Sequence, residues 1–202
     1  MGRFIVLEGL DGAGTTTQRG RVTEWLRSRG KTVVETFEPT DGFIGREIRR
    51  VLRREEGAVH RSTLPWMFAA DRADHLSRLV DPALQRGEWV ISDRYLHSSL
   101  AYQSLDRALE EVWELNHRFR APDLTLFVAV SVDTCLERMA RRGGTAELFE
   151  QREALQRVAA SYERVMARLQ ERGDTIVRID GDAPIESVTT AIQSAMSGVL
   201  EV

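Results

Sequence analysis

Phe4-Ile5-Val6-Leu7-Glu8-Gly9-Leu10-Asp11-Gly12-Ala13-Gly14-Thr15-Thr16 is the stretch on which the fold turns. Its four consecutive apolar residues read as a strand buried on both faces, since a half-exposed strand would alternate. From Thr16 to about Arg29 the pattern becomes helical, with Val22, Trp25 and Leu26 on one side and Gly30 as the stop. Between strand and helix, Gly9 to Thr16 meets the pattern G-x-x-x-x-G-K-[ST] at every defined position except the lysine, where Thr15 stands. The physical core of that pattern is present. Glycines let backbone N–H groups curl around an anion, the helix N-terminus adds positive potential, and Thr16 offers a hydroxyl to Mg²⁺. A plain glycine turn before a helix is the competing reading, and the strand-loop-helix context favours phosphate binding.

The missing lysine normally reaches the β- and γ-phosphates, where charge builds up in the transition state. Thr15 supplies only a neutral hydroxyl. Lys31 is the sole lysine of the chain, and about fourteen helical residues at ~1.5 Å each put it roughly 20 Å along the axis from Thr16. Any compensation has to come from arginine.

Outward from this start the chain alternates. Strands are expected at 31–36, 89–93, 124–130 and 175–179. Helices are expected at 44–54, at 64–84 with an interruption near Pro82, and at 101–119, 132–142, 150–172 and 185–196. Apolar strands alternating with helices predict a parallel sheet of about five strands covered on both faces, with ligands beyond the strands' carboxyl ends. Glu8, Glu38 and Asp93 lie at such ends. No repeat or linker divides the chain, so one domain over 1–202 is expected, with a mobile lid around 141–150.

The net charge of −3 and a pI near 5.9 give no general attraction to nucleic acid or anionic membranes, so an anionic ligand must be held by local cations. Cys135, the single cysteine, excludes an intrachain disulfide and a thiolate cluster. With no secretory or membrane-spanning segment to read, a cytoplasmic protein is expected.

The ordered set Glu8 to Gly14, Glu38-Pro39, Phe68-Ala69-Ala70-Asp71-Arg72, Asp93-Arg94-Tyr95, Ala101-Tyr102-Gln103 and Pro122-Asp123-Leu124-Thr125 resembles the thymidylate kinases over most of the chain. That resemblance implies a three-layer P-loop kinase fold, a homodimer, and Mg²⁺-dependent phosphoryl transfer from ATP to dTMP. Gly9, Leu10, Asp11, Gly12, Ala13, Gly14, Thr15, Thr16 and Thr17 would hold the donor phosphates, and Thr16 and Asp93 the metal. Phe68 resembles the ring that stacks on thymine, Arg72 and Gln103 the groups on its edge, and Tyr102 the residue crowding the sugar 2′ position. Asp11 resembles the carboxylate that meets the 3′-hydroxyl. Arg94 and Arg49 resemble the clamps on the acceptor phosphate, with Glu38 and Ser99 in the same pocket.

Taken singly, these residues also admit structural roles: Asp93 and Asp11 as turn residues, Arg49 as part of a solvated face, Phe68 as core. Gly12 stands where some relatives carry a loop arginine, and Leu148 where a lid arginine would compensate. Phe37 and Thr40-Asp41 depart from the family around Glu38-Pro39. Arg138, Arg141, Arg142 and Arg152 flank the lid, with Arg141 and Arg142 expected to act on the transferred phosphate. A kinase of another nucleoside monophosphate, and a nucleotide-binding protein with little catalytic power, remain open beside the leading reading.

Overall fold

The computed structural model of the chain describes residues 1–141 and 148–200. Five strands, β1 (Phe4–Glu8), β2 (Val33–Phe37), β3 (Trp89–Asp93), β4 (Leu124–Ala129) and β5 (Ile176–Asp180), form one parallel sheet in the order β2-β3-β1-β4-β5. This is the three-layer α/β architecture that the alternating runs predict. The apolar runs segregate with the strand period of two. Ile5 and Leu7 join Val22 and Leu26 of α1 (Thr15–Ser28) and Ile192 and Met196 of α9 (Ile185–Leu200) on one face. On the other face, Phe4 and Val6 pack with Leu100 of α5 (Leu96–Gln103), Val112 of α6 (Leu109–Asn116) and Val165 of α8 (Leu148–Glu171). Leu7 and Val6 are fully buried, and each such side chain contributes about 1.5–3 kcal/mol by leaving water.

Register sets the site. Leu7 pairs with Asp93 and Glu8 with Phe127, while Phe37 also pairs with Asp93. The Arg94 amide donates to the Leu7 carbonyl at 2.9 Å and the Glu38 amide to that of Asp93 at 3.1 Å. The carboxyl ends of β1, β2 and β3 therefore converge, and the residues following them share one rim.

One helical expectation needs correction. Residues 101–119 form two helices, because Leu105 and Asp106 close three-residue turns on Tyr102 and Gln103 and the chain is extended at Ala108 before α6 starts. The expected interruption near Pro82 takes the form of a wide π turn at Leu76–Val80 between α3 (Leu64–His75) and α4 (Asp81–Gln85), with Pro82 in the first turn of α4. A wide turn is how a helix accommodates a ring that would clash four residues back and a nitrogen that donates nothing. Shorter helices α2 (Phe43–Leu52) and α7 (Val132–Arg141) flank the rim. Residues 142–147, and so most of the expected lid with Arg142, lie outside the described residues. Among the described residues no helix is long and apolar enough to cross a membrane.

Candidate active site

Strand β1 empties into a loop that needs its glycines. Gly12 and Gly14 have φ of 88° and 89°, the left-handed region that costs other residues. A Cβ on Gly9 would stand 2.8 Å from the Val128 carbonyl. The Ala13 amide closes the turn on Leu10 at 3.0 Å, and α1 begins at Thr15 with no side chain capping it. Its first-turn N–H groups are thus left for an anion. Thr15 is buried and brings no charge.

Next along the rim, Thr16 Oγ1 donates to Asp93 Oδ2 at 2.5 Å. The other carboxylate oxygen, Oδ1, is buried with no hydrogen-bond partner among the described residues. An uncompensated carboxylate oxygen beside a hydroxyl fits a hard divalent cation such as Mg²⁺. Among the described residues no cluster of three or more His, Cys, Asp or Glu could hold a metal by itself. Such an ion at Thr16 and Asp93 would complete its shell with water and phosphate oxygens, as Mg²⁺ commonly does.

Behind the loop lies Glu8, fully buried. Its carboxylate accepts from the Tyr95 amide at 2.8 Å, the Ser98 hydroxyl at 2.7 Å and the Tyr162 phenol at 2.9 Å. Burial pushes its carboxyl up, but His97, Arg94 and the Ser98 hydroxyl outweigh that and hold it below the ordinary value of 4.5. Arg94 follows Asp93 with a φ of 71°, a left-handed conformation that costs a non-glycine residue of order 1 kcal/mol. That twist sends its guanidinium away from Asp93. It reaches Asp11 at 2.7 Å, Ser98 at 2.9 Å and Tyr162 at 3.3 Å, over the Tyr102 ring. One strand end thereby serves the loop through Asp93 and the adjoining cavity through Arg94.

That cavity, about 1320 Å³, is lined by Asp11, Phe68, Arg72, Arg94, Ser99, Tyr102 and Gln103 among others. Arg72 forms its inner wall. Nε and Nη2 bind Glu38 Oε2 at 2.9 and 2.7 Å, Nη2 donates to Ser99 at 2.9 Å, and Nη1 donates to Asn116 Oδ1. The Tyr95 and Phe119 rings lie 5.1 and 5.6 Å from the guanidinium carbon. Those four bonds engage four of its five N–H groups, leaving one on Nη1. Beside it, both amide atoms of Gln103 and the Tyr102 hydroxyl are buried without partners among the described residues. Phe68 is half-buried against Ile48, Val51 and Leu64, so one residue serves as both packing and cavity wall. Unspent donor and acceptor groups beside an apolar ring suit the edge and face of a planar heterocycle.

Glu38 lines the same cavity, and it, Arg49, Arg141 and Arg152 each have partners within the protein. Arg49 donates to the carbonyls of Pro39 and Thr40, the latter at 2.6 Å, with Phe37 below its guanidinium; it braces the loop after β2. Both Glu38 oxygens are occupied, by Arg72 and by His75 Nδ1 at 3.0 Å. Arg141 is largely exposed beside Glu137 at 3.9 Å, and Arg152 pairs with Asp133 at 2.6 Å. Conversely, Tyr162, Ser98, His75 and Asn116 are site-building residues that sequence reasoning missed. Each lies inside a helix where phase alone gives a polar residue no sign of a distant partner; the partners come from β1, the loop after β2 and α3.

Comparison with known proteins agrees with this geometry. The family model described as "Thymidylate kinase" matches residues 7–192. The chain is 38% identical to the thymidylate kinase of Alkalilimnicola ehrlichii over 98% of this chain and 94% of that one. It is 36% identical to that of Leifsonia xyli over 98% and 95%, and 40% identical to a probable thymidylate kinase of Pyrococcus horikoshii over 80% and 81%. With glycine loop, strand-end carboxylate and a mostly apolar cavity bearing a few polar groups along the same rim, the chain belongs to the thymidylate kinase family.

Proposed function

We propose that the protein transfers the γ-phosphoryl group of ATP to dTMP, giving ADP and dTDP. The observation that carries this reading is the placement of Arg94: it leaves the strand end that holds Asp93 at the loop and enters the cavity that holds Phe68 and Gln103. Phosphate cradle and base pocket thus adjoin within one rim. Relatives over nearly the whole chain carry the name thymidylate kinase.

In this reading the loop from Gly9 to Thr17 holds the donor phosphates. Phe68 stacks on the base, the spare Arg72 N–H and the Gln103 amide meet its edge, and Ser99 fixes Arg72. Tyr102 crowds the sugar 2′ position and Asp11 meets the 3′-hydroxyl. Arg94 holds the acceptor phosphate, with Arg49 and Glu38 ordering the loop between them. A phosphate oxygen of dTMP forms the new bond to Pγ; the bond from Pγ to the β–γ bridging oxygen breaks, and ADP leaves with that electron pair. A dTMP dianion has no proton to lose, so no protein base is needed, and catalysis is positioning and charge stabilisation. Mg²⁺, when bound at Thr16 and Asp93, neutralises donor phosphate charge. Arg141 and Arg142 add positive charge from the lid. The enzyme works in the cytoplasm as a homodimer.

The test is ADP release by purified protein given ATP, Mg²⁺ and each nucleoside monophosphate in turn. Turnover with dTMP well above that with dUMP or dCMP is expected. Saturable nucleotide binding without turnover overturns the enzyme reading, and equal turnover of dUMP or dCMP overturns the substrate.

A further inference from the structure

Thr15 leaves the phosphate loop without its own cation, yet one guanidinium already rests on that loop. Arg138 of α7 donates from Nη1 to the Ala13 carbonyl at 3.2 Å and from Nη2 to the Gly181 carbonyl at 2.9 Å. Its Nη1 stands 4.0 Å from where a Gly14 Cβ would be. We propose that Arg138 supplies the donor-phosphate charge that a lysine at position 15 would bring. The assignment rests on the phosphoryl-transfer reading above.

Three features support it. The first is spare capacity: among the described residues two of its five N–H groups are engaged, both by neutral carbonyls, and a phosphate oxygen makes the stronger, charge-assisted bond. The second is charge. The neighbouring arginines are paired with carboxylates, Arg94 with Asp11 at 2.7 Å, Arg152 with Asp133 at 2.6 Å and Arg141 with Glu137 at 3.9 Å. Asp182, whose carboxylate feels the Arg138 charge, gives its oxygens to the Ser131 amide and hydroxyl. The third is placement. A Cβ on Gly12 would meet the Cys135 carbonyl at 2.7 Å, so α7 packs directly on the loop and carries Arg138 with it. A cation so held costs little reorganisation when the donor binds.

A purely structural role, clamping residue 13 to residue 181, predicts different behaviour. The decisive experiment is the cycle of Thr15→Lys, Arg138→Ala and the double variant, with Arg138→Lys as a milder change. Steady-state rates against ATP are measured, together with calorimetric affinities for ADP and AMP. Arg138→Ala is expected to lower kcat/KM for ATP by about 100-fold, the scale of losing one preorganised stabiliser, and to weaken ADP more than AMP. Thr15→Lys should recover about tenfold or more when added to Arg138→Ala but gain little in the native protein. Arg138→Lys should fall between. Additive effects in the cycle, or equal losses for ADP and AMP, overturn the proposal. Where Arg138→Ala melts too early to assay, a tenfold gain from Thr15→Lys alone also overturns it, since the charge was then missing. If no variant turns over dTMP, the kinase reading fails separately, while the ADP-to-AMP comparison still tests Arg138.

Discussion

Arg72 and Glu38 form an ion pair from which water is excluded: Nη2 lies 2.7 Å from Oε2, with the side chains 0% and 2% exposed. Taking one member away strands a buried charge, which costs about 3–5 kcal/mol, whereas removing both leaves a cavity wall that apolar groups can fill. Arg72→Met and Glu38→Leu are each expected to lower stability by that amount, and the double variant to recover much of it while failing to bind dTMP. Urea unfolding of the three proteins measures this. Additive losses would mean that the two residues stabilise the fold separately.

Gln103 sets stability against function. Its amide nitrogen and oxygen are both buried and unpaired among the described residues, and an unsatisfied buried group costs about 1–3 kcal/mol. Gln103→Leu should therefore raise the thermal midpoint of the free protein and raise KM for dTMP by about tenfold, one hydrogen bond's worth, with kcat little changed. A lower midpoint, or an unaltered KM, would show the amide to be satisfied or remote from the base.

Asp93 and Thr16 meet at the mouth of the loop. Asp93→Asn keeps the hydrogen-bonding shape and removes the charge that favours a divalent cation. The expected outcome is a fall in kcat of about 100-fold and a higher Mg²⁺ concentration for half-maximal rate. A Mg²⁺ titration of both proteins at saturating nucleotide decides it; an unmoved midpoint places the metal elsewhere.

Much of this site was legible from residues 4–16 and the end of the 89–93 strand. The apolar run ending at Glu8, the glycines that require positive φ and the strand-end position of Asp93 are local properties. What stayed hidden is what helices bring from a distance. Tyr162 lies in mid-helix of α8, and no spacing rule connects it to Glu8, which precedes it by 154 positions. Asn116 finds Arg72 only because residues 101–119 break into two helices, and tertiary packing overrides the single helical phase. Arg49 could be placed near the acceptor loop, but its engagement by two backbone carbonyls depends on how that loop folds back on α2.

Glu8 gives the acid limb of stability a specific origin. Its folded pKa lies below the ordinary 4.5, so the unfolded chain binds the proton first as pH falls. The stabilisation is complete above about pH 4.5 and is lost as pH drops through the folded value. Glu8→Gln retains an acceptor for Tyr95 and Ser98 but has no proton to take up. Its unfolding free energy should lie below the native protein's at about pH 7 and change less between about pH 5 and about pH 3, so that the two curves converge in acid. Urea midpoints across that range measure the slopes directly. Parallel curves would move the acid sensitivity to other carboxylates.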